Sequence, residues 1–366
     1  MKILGIESTC DETAAAVVEF TPSEISESSS PKLRLLSNEV VSQIDIHAEF
    51  GGVVPEVAAR SHIEVINPVV SRALSRANLD WDQIDAIAVS FAPGLNGSLL
   101  VGNLAAHTYA SVLGKPLFPV HHVEAHIYGA FLDEETRPEF PFLALVVSGG
   151  HSQIVLMKGH GDFEILGQTQ DDAVGEAFDK VAKILGLPYP GGPAISKVAE
   201  NGDASKYKLP KAKLAGEFDF SFSGLKTAVL RAVQKEVGVD MNFPSFELAG
   251  LLNEEQKADF AASFQKTAVE TLADKLEKAA EKFAIKTVVV AGGVAANLAL
   301  RDELIRRLDE KLSGGVKFVL PDFCTDNAAM VAALGAAHFS LNKPTDALKT
   351  TVKPSLSMEN NLWRKI

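Results

Sequence analysis

The segment Lys2-Ile3-Leu4-Gly5-Ile6-Glu7-Ser8-Thr9-Cys10-Asp11-Glu12-Thr13-Ala14-Ala15-Ala16-Val17-Val18-Glu19 decides the fold. It reads as a short apolar strand, a polar turn over Glu7–Glu12 and a second strand over Ala14–Glu19, a hairpin whose first strand is buried. Phe142–Lys158 repeats the design, with Leu143–Val147, the turn Ser148-Gly149-Gly150-His151-Ser152, and Gln153–Met157. Helix and strand patterns follow each hairpin over more than a hundred residues. The reading is a structural duplication, with a hinge near the polar, proline-containing stretch Leu132–Pro141. Thr21–Lys32, rich in Ser, Glu and Pro, reads as an inserted surface loop.

The second half alternates. Phe260, Phe264, Ala268, Leu272, Leu276 and Ala280 recur four apart and predict a long amphipathic helix over Ala258–Phe283. Strand Thr287–Val290, the turn Gly292-Gly293 and a helix through Leu298, Leu304, Leu308 and Leu312 follow. Strand, glycine turn and helix in succession mean an α/β protein whose ligands sit at the carboxyl ends of the strands. Two such lobes with a cleft between them is the expected architecture.

Composition narrows the function. In 366 residues, 46% are hydrophobic and 22% charged, which excludes a disordered chain. The longest apolar stretches, such as Phe140–Val147, fall far short of the roughly 18 residues of a membrane span. The start of the sequence lacks the apolar region of a secretion signal. Two cysteines, Cys10 and Cys324, make no disulfide framework, so a cytoplasmic protein is expected. With 35 basic against 47 acidic side chains, the net charge of −12 excludes a broad basic field for nucleic acid and leaves room for a local patch.

The sharpest chemical signal is His121-His122-Val123-Glu124-Ala125-His126. On a helix, His122 and His126 share a face and can grip one metal ion. A zinc protease of the H-E-x-x-H type needs its Glu beside the first His, and Val123 stands there instead. At about 100° per residue, Glu124 turns away from the shared face. Asp326, in Asp322-Phe323-Cys324-Thr325-Asp326-Asn327, offers a carboxylate at the start of an Ala-rich helix, as a third ligand or as a helix-terminal residue favoured by the macrodipole. Two imidazoles and one carboxylate would leave metal positions open to substrate.

Val147-Ser148-Gly149-Gly150-His151 and Ala291-Gly292-Gly293-Val294-Ala295-Ala296-Asn297 each end a strand in glycines. Each is either a tight turn or a place where backbone N–H groups approach phosphate. Asp171 and Asp172 head a helix as caps or ligands. Asp179 lies further in, as an acceptor for ribose hydroxyls or as scaffold, and Tyr189-Pro190-Gly191-Gly192-Pro193 is a rigid turn, a surface for a nucleoside to lie against or again scaffold. Lys206, Lys208, Lys211 and Lys213, interleaved with Tyr207 and Pro210, form a strip for nucleic acid or a solvated loop. Ser221, Ser223 and Lys226 make a second polar cluster.

Together these motifs resemble the TsaD family, the tRNA threonylcarbamoyladenosine synthases once labelled glycoproteases. The resemblance runs through Gly5–Thr13, Gly51–Glu56, Ala92–Leu95, His122–His126, the Gly149 turn, Asp172–Lys180, Phe220–Lys226, Gly292–Asn297 and Cys324–Met330. It implies a two-lobed actin/Hsp70-like fold, built from duplicated RNase H-like domains around a nucleotide cleft. The corresponding domains are an N-terminal lobe over 1–136 completed by a helix at 326–345, a C-terminal lobe over 137–325, and a tail over 346–366. It further implies that His122, His126 and Asp326 hold one divalent metal, iron foremost and zinc as the alternative. Val146, Val147, Ser148, Gly149, Gly150, Asp179, Gly192 and Asn297 match the positions that hold the adenylate. Asp11 and Glu12 match acidic residues near the reacting end. Ala125 departs from the common bacterial Gly.

The implied reaction transfers threonylcarbamoyl from L-threonylcarbamoyl-AMP to N6 of the adenosine just 3′ of the anticodon, in tRNAs reading codons that begin with adenine. AMP is released. The implied partners are the tRNA anticodon loop, a TsaB-like paralogue and a TsaE-like ATPase, with no membrane. A metalloprotease, a small-molecule kinase of the same fold, and a non-enzymatic scaffold are the rival classes. Such kinases carry Asp-x-Gly-Thr after the first strand, where this chain has Glu7-Ser8-Thr9-Cys10.

Overall fold

The opening segment forms its hairpin. In the computed structural model, β1 (Lys2–Glu7) pairs antiparallel with β2 (Glu12–Phe20), which pairs antiparallel with β3 (Leu33–Ser42). On its other side β1 runs parallel to β4 (Ala86–Ala92), and β4 parallel to β5 (Leu117–His121), giving the order β3-β2-β1-β4-β5. Parallel neighbours require crossovers. Helix α1 (Ile44–Ala48) and the long α2 (Pro55–Ala77) fill the first, and α3 (Asn96–Leu113) the second. Leu4, Ile6, Ala15 and Val17 meet Ile66, Val69, Val70 and Ala73 of α2 and Ala106 and Ala110 of α3 in one core. Helix α4 (His122–Tyr128) leaves β5 with no intervening loop.

The second sheet repeats the plan. It contains β6 (Phe142–Val147), β7 (Ser152–Gly159), β8 (Asp162–Gln168), β9 (Val288–Ala291) and β10 (Val316–Phe318), in the order β10-β9-β6-β7-β8, with β6 parallel to β9. Counted from its own first strand, each sheet runs third, second, first, fourth, fifth. That identity is the duplication expected from the two hairpins. The helices are α5 (Val174–Leu185), α6 (Gly191–Ala199), α7 (Ser223–Glu236), α8 (Glu254–Lys282) and α9 (Leu298–Leu304), then α10 (Pro321–Cys324) and α11 (Ala328–Ser340). Asn253 caps α8 in a reciprocal box with Gln256. The apolar stripe Phe260, Phe264, Ala268, Leu272, Leu276, Ala280 is buried throughout. The helix expected to run on through Leu308 and Leu312 instead ends at Leu304 and widens into a π turn over Ile305–Asp309, leaving Leu312 beyond it.

The structure describes residues 1–29, 31–341 and 350–360. The chain divides into two compact units: Met1–Phe142 with Leu156–Glu164 and Lys317–Ile366, and Leu143–Val155 with Ile165–Val316. Of the expected tail, 346–349 and 361–366 lie outside the described residues, as do the last positions of the helix expected over 326–345. In the part that is described, Lys353 N donates to Phe91 O, Gly94 N to Pro354 O and His121 Nε2 to Leu356 O, so this segment is docked in the first unit. Among the described residues no helix is long and apolar enough to cross a membrane.

Two features set the stability of the first unit. Helix α11 lies on the sheet so closely that a Cβ on Gly5 would fall against the Ala328 carbonyl and 2.7 Å from Ala332 N. The insertion read as a surface loop is tied down at its middle. Ile25 is buried, and His160 donates from its backbone N to Glu27 O at 2.8 Å and from Nε2 to Ser29 O at 3.0 Å. With Nε2 donating, neutral His160 accepts the Tyr128 hydroxyl at Nδ1, 2.6 Å away. Burial holds its pKa down to about 4, against an ordinary value of 6.5, although the Ser29 carbonyl favours the proton.

Gly5→Val is expected to destabilise the first unit by about 1–3 kcal/mol or more through overpacking, read as a lowered denaturant midpoint. His160 binds its proton more weakly folded than unfolded, so its contribution is complete above about pH 6.5 and is lost as pH falls through about 4. Urea titrations at pH 7 and pH 5 should show a smaller pH dependence in His160→Gln than in the parent.

Candidate metal centre

Helix α4 is buried along its whole length. His122 and His126, one turn apart, place their ring centroids 4.7 Å from each other at 74°. Val123, buried and apolar, occupies the position a zincin fills with its base. The third group arrives from α11. The N-cap of that helix is Asn327, which accepts from Met330 N at 3.1 Å and donates to the Phe323 and Thr325 carbonyls. Asp326 therefore does not cap the helix. Its Oδ1 stands 3.5 Å from His122 Nε2 and 3.3 Å from His126 Nε2.

The three ligand atoms all lie within 4.8 Å of one another. Metal–ligand bonds of about 2.0–2.2 Å hold neighbouring donor atoms roughly 3–4 Å apart, so the spacing suits a single cation. Neither ring nitrogen of buried His126 makes a hydrogen bond among the described residues. An imidazole buried in that state is costly, and a cation between Nε2 and the carboxylate would relieve it. The donor set of two nitrogens and one oxygen thus fits a divalent metal.

Acidic groups crowd this spot. Fully buried Glu7 accepts from Thr9 N through Oε1 (2.6 Å) and from Ser90 Oγ through Oε2 (2.5 Å), with His122 Nδ1 3.2 Å from the same Oε2. Burial alone would lower the His122 pKa, yet Asp326 and Glu7 raise it to about 9. A metal entering at neutral pH therefore displaces a proton. Burial, with the Asp326 and Asp11 carboxylates, holds the Glu12 carboxyl well above the usual range. Burial likewise raises the Cys10 thiol, helped by Asp11 and Asp326. Glu12 thus sits in the field of the Asp326 and Asp11 carboxylates. The Cys10 carbonyl just before them accepts from His62 Nε2 and Ser98 Oγ.

The positions matched to an adenylate lie in the second unit. Val146 and Val147 are buried at the end of β6. Ser148 closes the turn, donating from N to His151 O and accepting from His151 N at Oγ. Gly292, at φ +91°, brings the second glycine turn against the Val147 carbonyl, where a side chain would collide. The start of α5 approaches as closely, since a Cβ on Gly175 would meet Ser148 O at 2.6 Å. By contrast, a Cβ on Gly149, Gly150 or Gly192 meets nothing within 4 Å. Asp179 Oδ1 accepts from Gly191 N at 2.7 Å, fixing the start of α6. Asn297 caps α9 through Leu300 N and donates to Ser196 Oγ (3.0 Å) and Gln265 Oε1 (2.9 Å).

Two expected clusters have other duties. Asp171 does not cap α5, whose N-cap is Ala173. It receives Ser221 Oγ, Phe222 N and Ser223 N. Burial opposes ionisation there, but these donors hold its carboxyl below the usual range. Asp172 pairs with Lys180 at 2.8 Å. In the lysine strip, Lys211 is engaged by Glu270 and Asp274, and Tyr207 is stacked on Phe260 at 3.7 Å. Lys206, Lys208 and Lys213 are exposed.

The family described as TsaD: tRNA N6-adenosine threonylcarbamoyltransferase matches residues 34–333. The chain belongs to the TsaD family. It is 50% identical over 335 residues to the tRNA N6-adenosine threonylcarbamoyltransferase of Symbiobacterium thermophilum, covering 91% of this chain and 90% of that one. It is 49% identical to the enzyme of the same name from Thermomicrobium roseum, covering 93% and 92%. Among solved structures, HypF of T. kodakarensis matches with a TM-score of 0.58 at 15% identity over 95% of this chain. That likeness spans about half of HypF and concerns the fold alone.

In this TsaD member, the expected ligands His122, His126 and Asp326 converge, and Glu12 stands in the field of Asp326. Glu7 and Thr9, which contact His122, were not singled out as site residues, nor were Ser196 and Gln265 around Asn297. Glu7 ends a strand, where alternation marks it only as inward-facing, so no local pattern pairs it with a histidine 115 positions away. His126→Ala is expected to abolish stoichiometric binding of one divalent ion, measured by elemental analysis after dialysis, without lowering the thermal midpoint of metal-free protein.

Proposed function

We propose that this chain transfers threonylcarbamoyl from L-threonylcarbamoyl-AMP to N6 of the adenosine just 3′ of the anticodon, in tRNAs reading codons that begin with adenine. The observation that carries this reading is the convergence of His122, His126 and Asp326 beside Asp11 and Glu12, in a chain of this family. Val146–Gly150, Asp179, Gly192 and Asn297 are assigned to the adenylate. The open faces of Gly149, Gly150 and Gly192 support this, because phosphate or ribose can approach the backbone there.

An aromatic amine is a weak nucleophile. As N6 bonds to the carbamoyl carbon, the bond from that carbon to the phosphate oxygen breaks, AMP leaves with the electron pair, and one N6 proton must go to a base. Glu12, or Asp11 beside it, is the assigned acceptor, and the raised proton affinity of Glu12 suits that task. A divalent ion held by His122, His126 and Asp326, iron or zinc, would supply positive charge to the phosphate or carbamoyl oxygens. The target base has to leave the anticodon-loop stack, at modest cost in a single-stranded loop.

Exposed Lys206, Lys208 and Lys213 form a narrow strip for tRNA phosphates. With a net charge of −12 the chain would rely on partners for the rest, which we take to be a TsaB-like paralogue and a TsaE-like ATPase. A tRNA substrate and two cysteines, Cys10 and Cys324, that form no disulfide suit the cytoplasm.

The test is mass spectrometry of nucleosides from tRNA incubated with the protein, threonine, bicarbonate, ATP and the companion enzymes. The parent should yield threonylcarbamoyladenosine, and Asp326→Ala should yield none while keeping its circular dichroism spectrum. Full yield from Asp326→Ala would overturn the metal assignment.

A further inference from the structure

We propose that Glu7 is a positioning residue for the metal centre: its buried carboxylate fixes the ring of His122 in the tautomer that presents a bare Nε2 to the cation. The inference rests on the reading of His122, His126 and Asp326 as metal ligands.

The argument begins with donors. Glu7 has no solvent exposure, and a buried carboxylate persists only when its oxygens are matched. Oε1 takes the Thr9 N–H, a donor that cannot reverse, and Oε2 takes the Ser90 hydroxyl. The remaining neighbour of Oε2 is His122 Nδ1 at 3.2 Å. Both Glu7 oxygens already serve as acceptors for Thr9 N and Ser90 Oγ, so the geometry assigns the hydrogen to Nδ1, which faces the same Oε2. In the neutral ring Nε2 is then the lone-pair nitrogen, and it is Nε2 that lies 3.5 Å from Asp326 Oδ1, at the corner of the triad. Thr9 Oγ1, 3.3 Å from the same Nδ1, adds a second contact on that edge. A cation held at Nε2 would face a ring whose opposite nitrogen is bonded to the Glu7 carboxylate, an outer partner that orients the ring and raises the basicity of the ligating nitrogen.

The placement is built in at two levels. Glu7 closes β1, opposite Ala14 of β2, while Ser90 lies on β4, the strand on the other side of β1. Its acceptor atoms are therefore set by the sheet register before any metal arrives. A glutamine in this site is mismatched whichever way it turns. With its amide nitrogen toward Thr9 it opposes a backbone N–H. With that nitrogen toward His122 it asks Nδ1 to accept, which moves the ring hydrogen to Nε2 and blocks the ligand position.

The experiment compares Co2+ affinity and the visible ligand-field spectrum in the parent, Glu7→Gln, Ser90→Ala and His126→Ala, with thermal unfolding of each metal-free protein. The expected result is roughly 10- to 100-fold weaker binding in Glu7→Gln, as for loss of an outer carboxylate, and a shifted Co2+ spectrum. Ser90→Ala keeps the carboxylate and should bind within a few-fold of the parent. A parent that binds no Co2+ would refute the metal reading itself. A parent that binds, with His126→Ala silent and Glu7→Gln unchanged in affinity and spectrum, would overturn this proposal alone. Nitrogen-15 NMR of histidine-labelled, Zn2+-loaded parent decides the matter even where Glu7→Gln does not fold. A protonated Nδ1 and a metal-bound Nε2 on His122 support the proposal, and coordination through Nδ1 overturns it.

Discussion

Helix α11 rests on the first sheet at a distance that only glycine permits. Gly5 of β1 sits under the Ala328 carbonyl, and Gly335 of α11 has Ala88 and Ile3 where its own side chain would be. Backbone-to-backbone contact of this kind leaves the helix little freedom to slide, since any shift forces atoms into an already dense interior. Asp326 stands two residues before that helix, and its carboxylate meets the two imidazoles of α4 because the helix is seated there. The triad is therefore a consequence of sheet–helix packing, and its ligand spacing inherits the rigidity of the core.

Rigidity matters because the site is electrostatically expensive. Around His122 and His126, in largely buried surroundings, burial with the Asp326 and Asp11 carboxylates raises the proton affinity of Glu12, while Asp326 and Glu7 raise that of His122 against its burial. A chain with a net charge of −12 has little long-range compensation to offer. Positive charge at the centre, as proton or as metal, is what makes such a cluster tolerable. Burial first, and then the neighbouring Asp326 and Asp11 carboxylates, raise the proton affinity of Glu12 above that of an ordinary surface carboxylate.

The second unit solves a different problem. Its glycine turns leave backbone open at Gly149, Gly150 and Gly192, while Gly175, Gly191 and Gly292 bring neighbouring segments into close contact. The first set faces space and the second set faces protein. In sequence the Gly149-Gly150 and Gly292-Gly293 turns read alike, because a glycine carries no mark of which side of it is occupied. Likewise a helix cap is one of the open sequence readings of both Asp171 and Asp326, and in the fold Ala173 and Asn327 hold the cap positions.

Period and order were legible in the chain alone. The two hairpins announced the duplication, the four-residue apolar spacing announced α8, and His122 with His126 announced a shared helical face, since each depends on interactions a few residues apart. The resemblance pointed to Asp326, but tertiary structure alone decided that its carboxylate meets His122 and His126, that Glu7 addresses the far side of the His122 ring, and that the Thr21–Lys32 insertion is held through His160. Those contacts join residues far apart in the chain, 115 positions for Glu7–His122 and 131 for Ser29–His160. Separation of that order leaves no local signature, because what brings the groups together is the packing of whole elements and not the propensity of any one of them.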